Sequence, residues 1–239
     1  MYRLYFTISL IIISIAVSAQ ETKQSAPETK QQSYHFGIKL APSIAWLRSD
    51  TKGYDSDGSI FGFSYGLITD FNFANRYAFS TGLDITSRGG KFKTVEEYKT
   101  VLNEDSIISS SSTYKLQYIE IPVTLKLKTD EIGIITYYVQ LGLAPGINIR
   151  ARESFESAIQ RTVAGTVYNT SSEESNIDVS SKINSFNLSM IIGLGFEYTV
   201  SGSTAFVGGI QFNNGFLDAF DNDAKVSSNY LALTLGVLF

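Results

Sequence analysis

The chain has 239 residues, a formal net charge of −4 and 18% charged residues, below the roughly 25% of ordinary soluble domains. This mildly acidic balance gives no support to nucleic-acid binding. The absence of cysteine excludes disulfides, thiolate metal sites, a cysteine nucleophile and a lipid-modified N-terminal Cys. Aromatics reach 13%, with 14 Tyr and 16 Phe beside 19 Gly and only 4 Pro, a balance that suits β-strands.

In chain order, Met1-Tyr2-Arg3 supplies one positive charge, Leu4 to Val17 is mostly apolar, and Val17-Ser18-Ala19 offers small residues for cleavage. These are the parts of a secretory signal, so residues 1–19 are read as a cleaved signal peptide. Residues 20–33 are polar and aperiodic and read as a disordered periplasmic lead-in. Residues 34–239 are then one barrel domain.

No later run is long and apolar enough for a transmembrane helix. Side chains instead alternate with a period of two, the mark of strands with two unlike faces. The clearest stretch sets Phe186, Leu188, Met190, Ile192, Leu194, Phe196 and Tyr198 against Asn187, Ser189, Ile191, Gly193, Gly195 and Glu197. The last strand sets Leu231, Leu233, Leu235, Val237 and Phe239 against Tyr230, Ala232, Thr234, Gly236 and Leu238. Strands are expected near 34–47, 60–73, 77–91, 114–128, 134–151, 184–199, 204–216 and 228–239. Most are long enough to cross a bilayer at a tilt. The connections 48–59, 92–113, 152–183 and 217–227 are long, and those between them are short. Long loops alternating with tight turns are the pattern of bacterial barrels, long outside and short in the periplasm. The expected fold is therefore all-β: an eight-stranded antiparallel up-and-down transmembrane β-barrel, in contact with outer-membrane lipid.

Polarity decides which face points inward. One face carries Lys39, Asp70, Asp84, Arg88, Glu120, Lys126, Arg150 and Glu197. A single Lys or Arg on lipid at the midplane would cost about 2–4 kcal/mol, so these eight are assigned to a neutralising network inside the barrel. On the apolar face, aromatics such as Phe36, Phe73, Tyr77 and Phe206 fall near the short-turn ends. Trp46, Phe61, Phe186 and Phe212 fall near the long-loop ends, with aliphatic residues between. Two aromatic girdles are expected at two membrane interfaces. The terminal Phe239 resembles the signal by which barrel-assembly machinery accepts its clients.

Few residues offer chemistry. His35 lies at the start of the first strand, away from the external rim, and no cofactor site or His/Cys metal set is present. Asp50, Asp55 and Asp57, before Gly58, resemble a fragment of a calcium loop without its closing Glu, and Asp218, Asp221 and Asp223 form a second acidic set. Solvated carboxylates are the simpler reading of both. Pro122 cannot donate a ladder hydrogen bond, so a bulge or break is expected there. An eight-stranded barrel is just wide enough for its own side chains, so the lumen is expected to be filled. Ala164-Gly165-Thr166-Val167-Tyr168 hints that strands continue as a hairpin beyond the membrane.

Tyr118-Ile119-Glu120-Ile121-Pro122-Val123-Thr124-Leu125-Lys126, with Phe36-Gly37-Ile38-Lys39-Leu40-Ala41-Pro42 and Leu141-Gly142-Leu143-Ala144-Pro145-Gly146, resembles the PorT-like group of outer-membrane β-barrel proteins. The resemblance spans about 34–239. It implies an outer-membrane location and, through the family's founding member, a link to type IX protein secretion with envelope or secretion-system proteins as partners. The function expected is a non-enzymatic structural or interaction role. The rivals are a narrow transporter of small or apolar solutes and a membrane-embedded envelope enzyme.

Overall fold

The computed structural model describes residues 34–49, 55–100, 104–163, 166–221 and 225–239. The expected signal peptide and lead-in lie outside the described residues, as do Asp50, Asp223 and the Ala164-Gly165 pair. The strands are β1 (Tyr34–Ser49), β2 (Asp55–Ser56), β3 (Ser59–Ala74), β4 (Tyr77–Thr100), β5 (Glu104–Glu120) and β6 (Val123–Lys128). They continue with β7 (Ile135–Val163), β8 (Thr166–Asp178), β9 (Phe186–Ser201), β10 (Thr204–Gly215) and β11 (Val226–Leu238). One turn of 3-10 helix, Ser180–Lys182, follows β8.

All pairings are antiparallel, and the sheet closes on itself. β1 pairs with β3 on one side and β11 on the other. From β3 the ring passes through β4, then β5 and β6 together, then β7, β9, β10 and back to β11. That makes eight staves, β5 and β6 being two halves of one. The break between them falls at Ile121-Pro122, where Pro122 has no N–H to donate. The Ile121 N–H still donates to the Pro145 carbonyl at 2.9 Å, so the wall stays continuous. Phe239 closes the seam by exchanging backbone hydrogen bonds with Phe36.

The ring is polar inside and apolar outside. Along β11, Leu231, Leu233 and Leu235 are exposed while Tyr230, Ala232 and Thr234 are buried. The same alternation runs along β9, where Ile191, the one large apolar residue on the small-residue face, is buried inside. The outward aromatics gather near both ends, including Phe36, Phe73 and Tyr77 at one and Phe61, Phe186 and Phe216 at the other. Trp46 and Phe212 are half-buried because their rings stack on each other, centroids 6.1 Å apart. Among the described residues no helix is long and apolar enough to cross a membrane, so the strands alone form the apolar wall.

The turns differ as the loop lengths require. At the short-turn end Gly133 and Gly202 take positive φ, 71° and 57°, which tight reversals demand and a Cβ would strain. Arg76 in one turn binds Asp130 in another, its Nε donating to Oδ1 at 2.8 Å. At the opposite end much of what reads as loop is strand. β4 and β5 stay paired out to Thr100 and Glu104, β5 stays paired with β7 to Thr162, and β8 folds back on β7. Residues 92–113 and 152–183, expected as loops, are therefore mostly a sheet rising beyond the ring.

Candidate functional site

The interior holds two groups of paired charges stacked along the barrel axis. Each exists because a small residue on one strand lets a long side chain cross to the next. Lys39 of β1, Gly66 of β3 and Asp84 of β4 form one row of paired positions. A Cβ on Gly66 would lie 2.4 Å from Asp84 Oδ1. With that space free, Asp84 leans across β3 and meets Lys39 Nζ at 2.8 Å. Beside it, Glu120 lies directly opposite Asp84 on β5, an arrangement of like charges that repels unless each finds a cation.

Arg88 supplies the second cation, its Nη1 3.1 Å from Glu120 Oε1. Its guanidinium also lies over the rings of Tyr118 and Tyr230, 4.3 and 5.5 Å from their centroids. A desolvated cation gains from such faces. The other Glu120 oxygen accepts from Thr86 Oγ1 at 2.8 Å and from the Tyr230 hydroxyl at 3.3 Å.

The second group lies nearer the short turns. Lys126 is opposite Ala78, a residue too short to block it, and reaches Asp70 at 2.5 Å and Glu197 at 3.1 Å. Ser80 donates to Asp70 from the other side at 2.5 Å. Lys128 binds Glu197 at 2.8 Å and lies 4.0 Å from Asp70. Tyr138 spreads its ring 4.5 Å from Lys126 Nζ, above Gly195 and Gly209, whose missing side chains leave room for it.

Seven of the eight residues assigned to the interior are therefore buried and brought together: Lys39, Asp70, Asp84, Arg88, Glu120, Lys126 and Glu197. Arg150 is a correction. It lies exposed on the outer surface. Between Tyr118↔Asn148 and Gln117↔Arg150 the β5–β7 register shifts by one residue. Such a bulge leaves two consecutive residues, Ile149 and Arg150, on the same outward side. Lys128, which the alternation also implied but strand-end position obscured, takes its place. Four cations (Lys39, Arg88, Lys126, Lys128) then face four carboxylates (Asp70, Asp84, Glu120, Glu197), and the interior balances.

Above the ion pairs the barrel is closed by an apolar plug that the sequence reading missed. Leu47, Phe92, Leu116, Tyr118, Val226 and Ala151 of the wall pack with Val179, Ile183, Ala219 and Phe220 of the connections. Phe220 lies edge-on to Tyr114, centroids 4.9 Å apart. Asn184 fixes the plug by donating its side-chain amide to the Asp218 and Phe220 carbonyls, both at 2.9 Å. The hint in the sequence is slight: single apolar residues, Val179 and Ile183, and the Ala219-Phe220 pair, each set among polar neighbours. Between plug and turns, a cavity lined by Lys39, Ser80, Tyr138, Gln140 and Gln211 measures about 20 Å³, room for about one water.

The remaining candidates are scattered. His35 faces Asn72 at 3.1 Å near the short-turn end, with the plug at the other. Asp55 and Asp57 lie at and after β2, while Asp218 and Asp221 flank the plug residues Ala219 and Phe220. Among the described residues, no cluster of three or more His, Cys, Asp or Glu is arranged to hold a metal.

A family model described as "Outer membrane protein beta-barrel domain" matches residues 19–221. The chain belongs to this family. An inside-out polarity and a closed antiparallel ring are what such a protein requires, and its location is the outer membrane. The long-loop end is then the external one. No curated protein sequence matches the chain. Among solved structures it is similar to Neisserial surface protein A, at 16% identity and a TM-score of 0.41, covering 85% of this chain and 97% of that one. It is also similar to Ail, the attachment invasion locus protein of Yersinia pestis, at 14% identity and a TM-score of 0.36, covering 87% and 100%. A third is the outer membrane protein OprG from Pseudomonas aeruginosa, at 12% identity and a TM-score of 0.36, covering 86% and 96%.

Proposed function

We propose that this barrel is a non-enzymatic interaction protein of the outer membrane, closed to solute flow, whose external sheet meets envelope or secreted partners. The observation that carries the reading is the packed lumen. Four cations and four carboxylates neutralise one another across it, and an apolar plug lies over them. A transport path would need a continuous wet channel, and an enzyme would need ionisable groups within reach of substrate. Asp84 and Glu120, the best-placed acids, are each held by a buried cation. What remains accessible is the external sheet of β4, β5, β7 and β8.

The resemblance of the Glu120-Ile121-Pro122 strand to PorT-like proteins supports a narrower version, in which the partners belong to type IX secretion. Phe239, at the seam, serves as the signal read by the assembly machinery. The purified full chain in planar bilayers is expected to give no single-channel steps; clear steps would favour the narrow transporter. Deleting the protein from its host is expected to leave secreted cargo in the periplasm. Unchanged secretion would remove the secretion link while leaving the closed barrel standing.

A further inference from the structure

The bulge that turns Arg150 outward has a second effect: it collects cations on the lipid-facing side at the external rim. Lys115 of β5 is directly opposite Arg152 of β7, and Gln117 is opposite Arg150, so all three basic residues share the outer face. Like charges directly opposite each other destabilise a sheet unless an anion lies between them. One carboxylate approaches, Asp178, 4.0 Å from Arg152, which also donates to the Asn176 carbonyl at 2.9 Å. Neither Lys115 nor Arg150 has a carboxylate within ion-pair distance among the described residues.

The place matters as much as the charge. Arg150 follows directly on the outward Ile149, and Lys115 lies one outward position beyond Gln117, which follows the outward Ile119, so the cluster begins where the apolar belt of this wall ends. An open groove of about 290 Å³ lies there, lined by Lys115, Arg150 and Arg152 together with Ser87, Gln117 and Phe61. A lipid whose acyl chains lie along the isoleucines would bring its headgroup to this groove. Basic side chains near a membrane surface attract anionic headgroups.

We infer that Lys115, Arg150 and Arg152 form a binding site for the phosphate of a phosphorylated lipid in the outer leaflet. The inference rests on the outer-membrane placement of the barrel and is independent of whether its lumen conducts. The lipid phosphate sits between the opposed cations, and Ser87 and Gln117 offer it, or an attached sugar, further hydrogen bonds. The lipid is thereby a fixed part of the external rim beneath the β4–β5–β7 sheet.

Native mass spectrometry of the full chain in neutral detergent, titrated with diphosphoryl lipid A, tests this. The wild type is expected to retain one lipid, and K115A/R150A to bind at least tenfold more weakly. K182A, which removes a cation from the plug side instead, is expected to bind as the wild type does. Lys115, Arg150 and Lys182 are exposed, and heat-modifiable gel mobility reports that each variant is folded. Equal binding by K115A/R150A, or equal binding of the dephosphorylated lipid, would overturn the site. Displacement of the lipid by an equal concentration of inorganic phosphate would assign the cluster to a free anion and overturn the lipid assignment.

Discussion

Lys126 holds the lower half of the interior together, because two carboxylates on different strands depend on it. Removing one partner of a buried ion pair leaves an uncompensated charge and costs about 3–5 kcal/mol. Lys126→Met is therefore expected to lower stability by that amount in urea unfolding from lipid vesicles. Lys128→Met is expected to cost clearly less, since Lys126 still reaches both Asp70 and Glu197. Equal losses would mean that the two lysines share the carboxylates evenly. Seven of the eight interior charges were legible from alternation, because a period of two fixes the face of every residue until something breaks it. Arg150 was misread for that reason. Nothing in Asn148-Ile149-Arg150 announces the bulge, which is a property of how β7 registers against β5 rather than of β7 alone.

The elements divide by whether their two faces see different surroundings. A strand with lipid on one side and a packed lumen on the other must alternate, and the staves were legible to within a few residues over their membrane-facing lengths. Pro122 marked the break between β5 and β6 through its missing donor. Beyond Phe92 and Ala151, the paired extensions of β4, β5, β7 and β8 continue past the apolar belt, and the described side chains there, such as those of 108–112 and 167–176, include none that is buried. Their sequences, such as Ser109-Ser110-Ser111-Ser112 and Glu173-Glu174, carry no alternation to read. They are strands because their neighbours continue and their backbone groups need partners.

At the ring-side end of β8, Asp178 starts the turn that leads into the plug. Its Oδ1 accepts from the Ser180 backbone N–H at 3.0 Å. That bond, chiefly, holds the Asp178 carboxyl below the ordinary carboxylate range. A depressed folded value means the contribution is present above the unfolded value and fades as pH falls through the folded one. Hydrogen-exchange protection of the Ser180 amide is thus expected to persist at neutral pH and fall in acid below the usual carboxylate range. Asp178→Asn is expected to remove that pH dependence. Protection independent of pH in the wild type would contradict this role for the carboxylate.

At the scale of the whole molecule, the ring, its strand number and its polarity follow from composition and spacing, while the plug does not. Val179, Ile183, Ala219 and Phe220 come from two connections far apart in sequence and meet in the closed barrel. Two single residues and one apolar pair give no periodic signal, so their convergence belongs to tertiary packing. The plug and the ion pairs together occupy the inside of the cylinder, with apolar side chains outside it and charge within. That polarity underlies every functional statement above. The absence of native cysteine makes it directly measurable, since single cysteines can be placed one at a time along β1 and β11. Spin-labelled at Ile38, Lys39, Leu40, Ala41, Leu231, Ala232, Leu233 and Thr234 in lipid vesicles, the chain is expected to alternate strictly in collision with oxygen dissolved in the bilayer. Ile38, Leu40, Leu231 and Leu233 should be accessible, and Lys39, Ala41, Ala232 and Thr234 shielded. Uniform accessibility, or alternation in the opposite phase, would contradict a barrel with its charges inside.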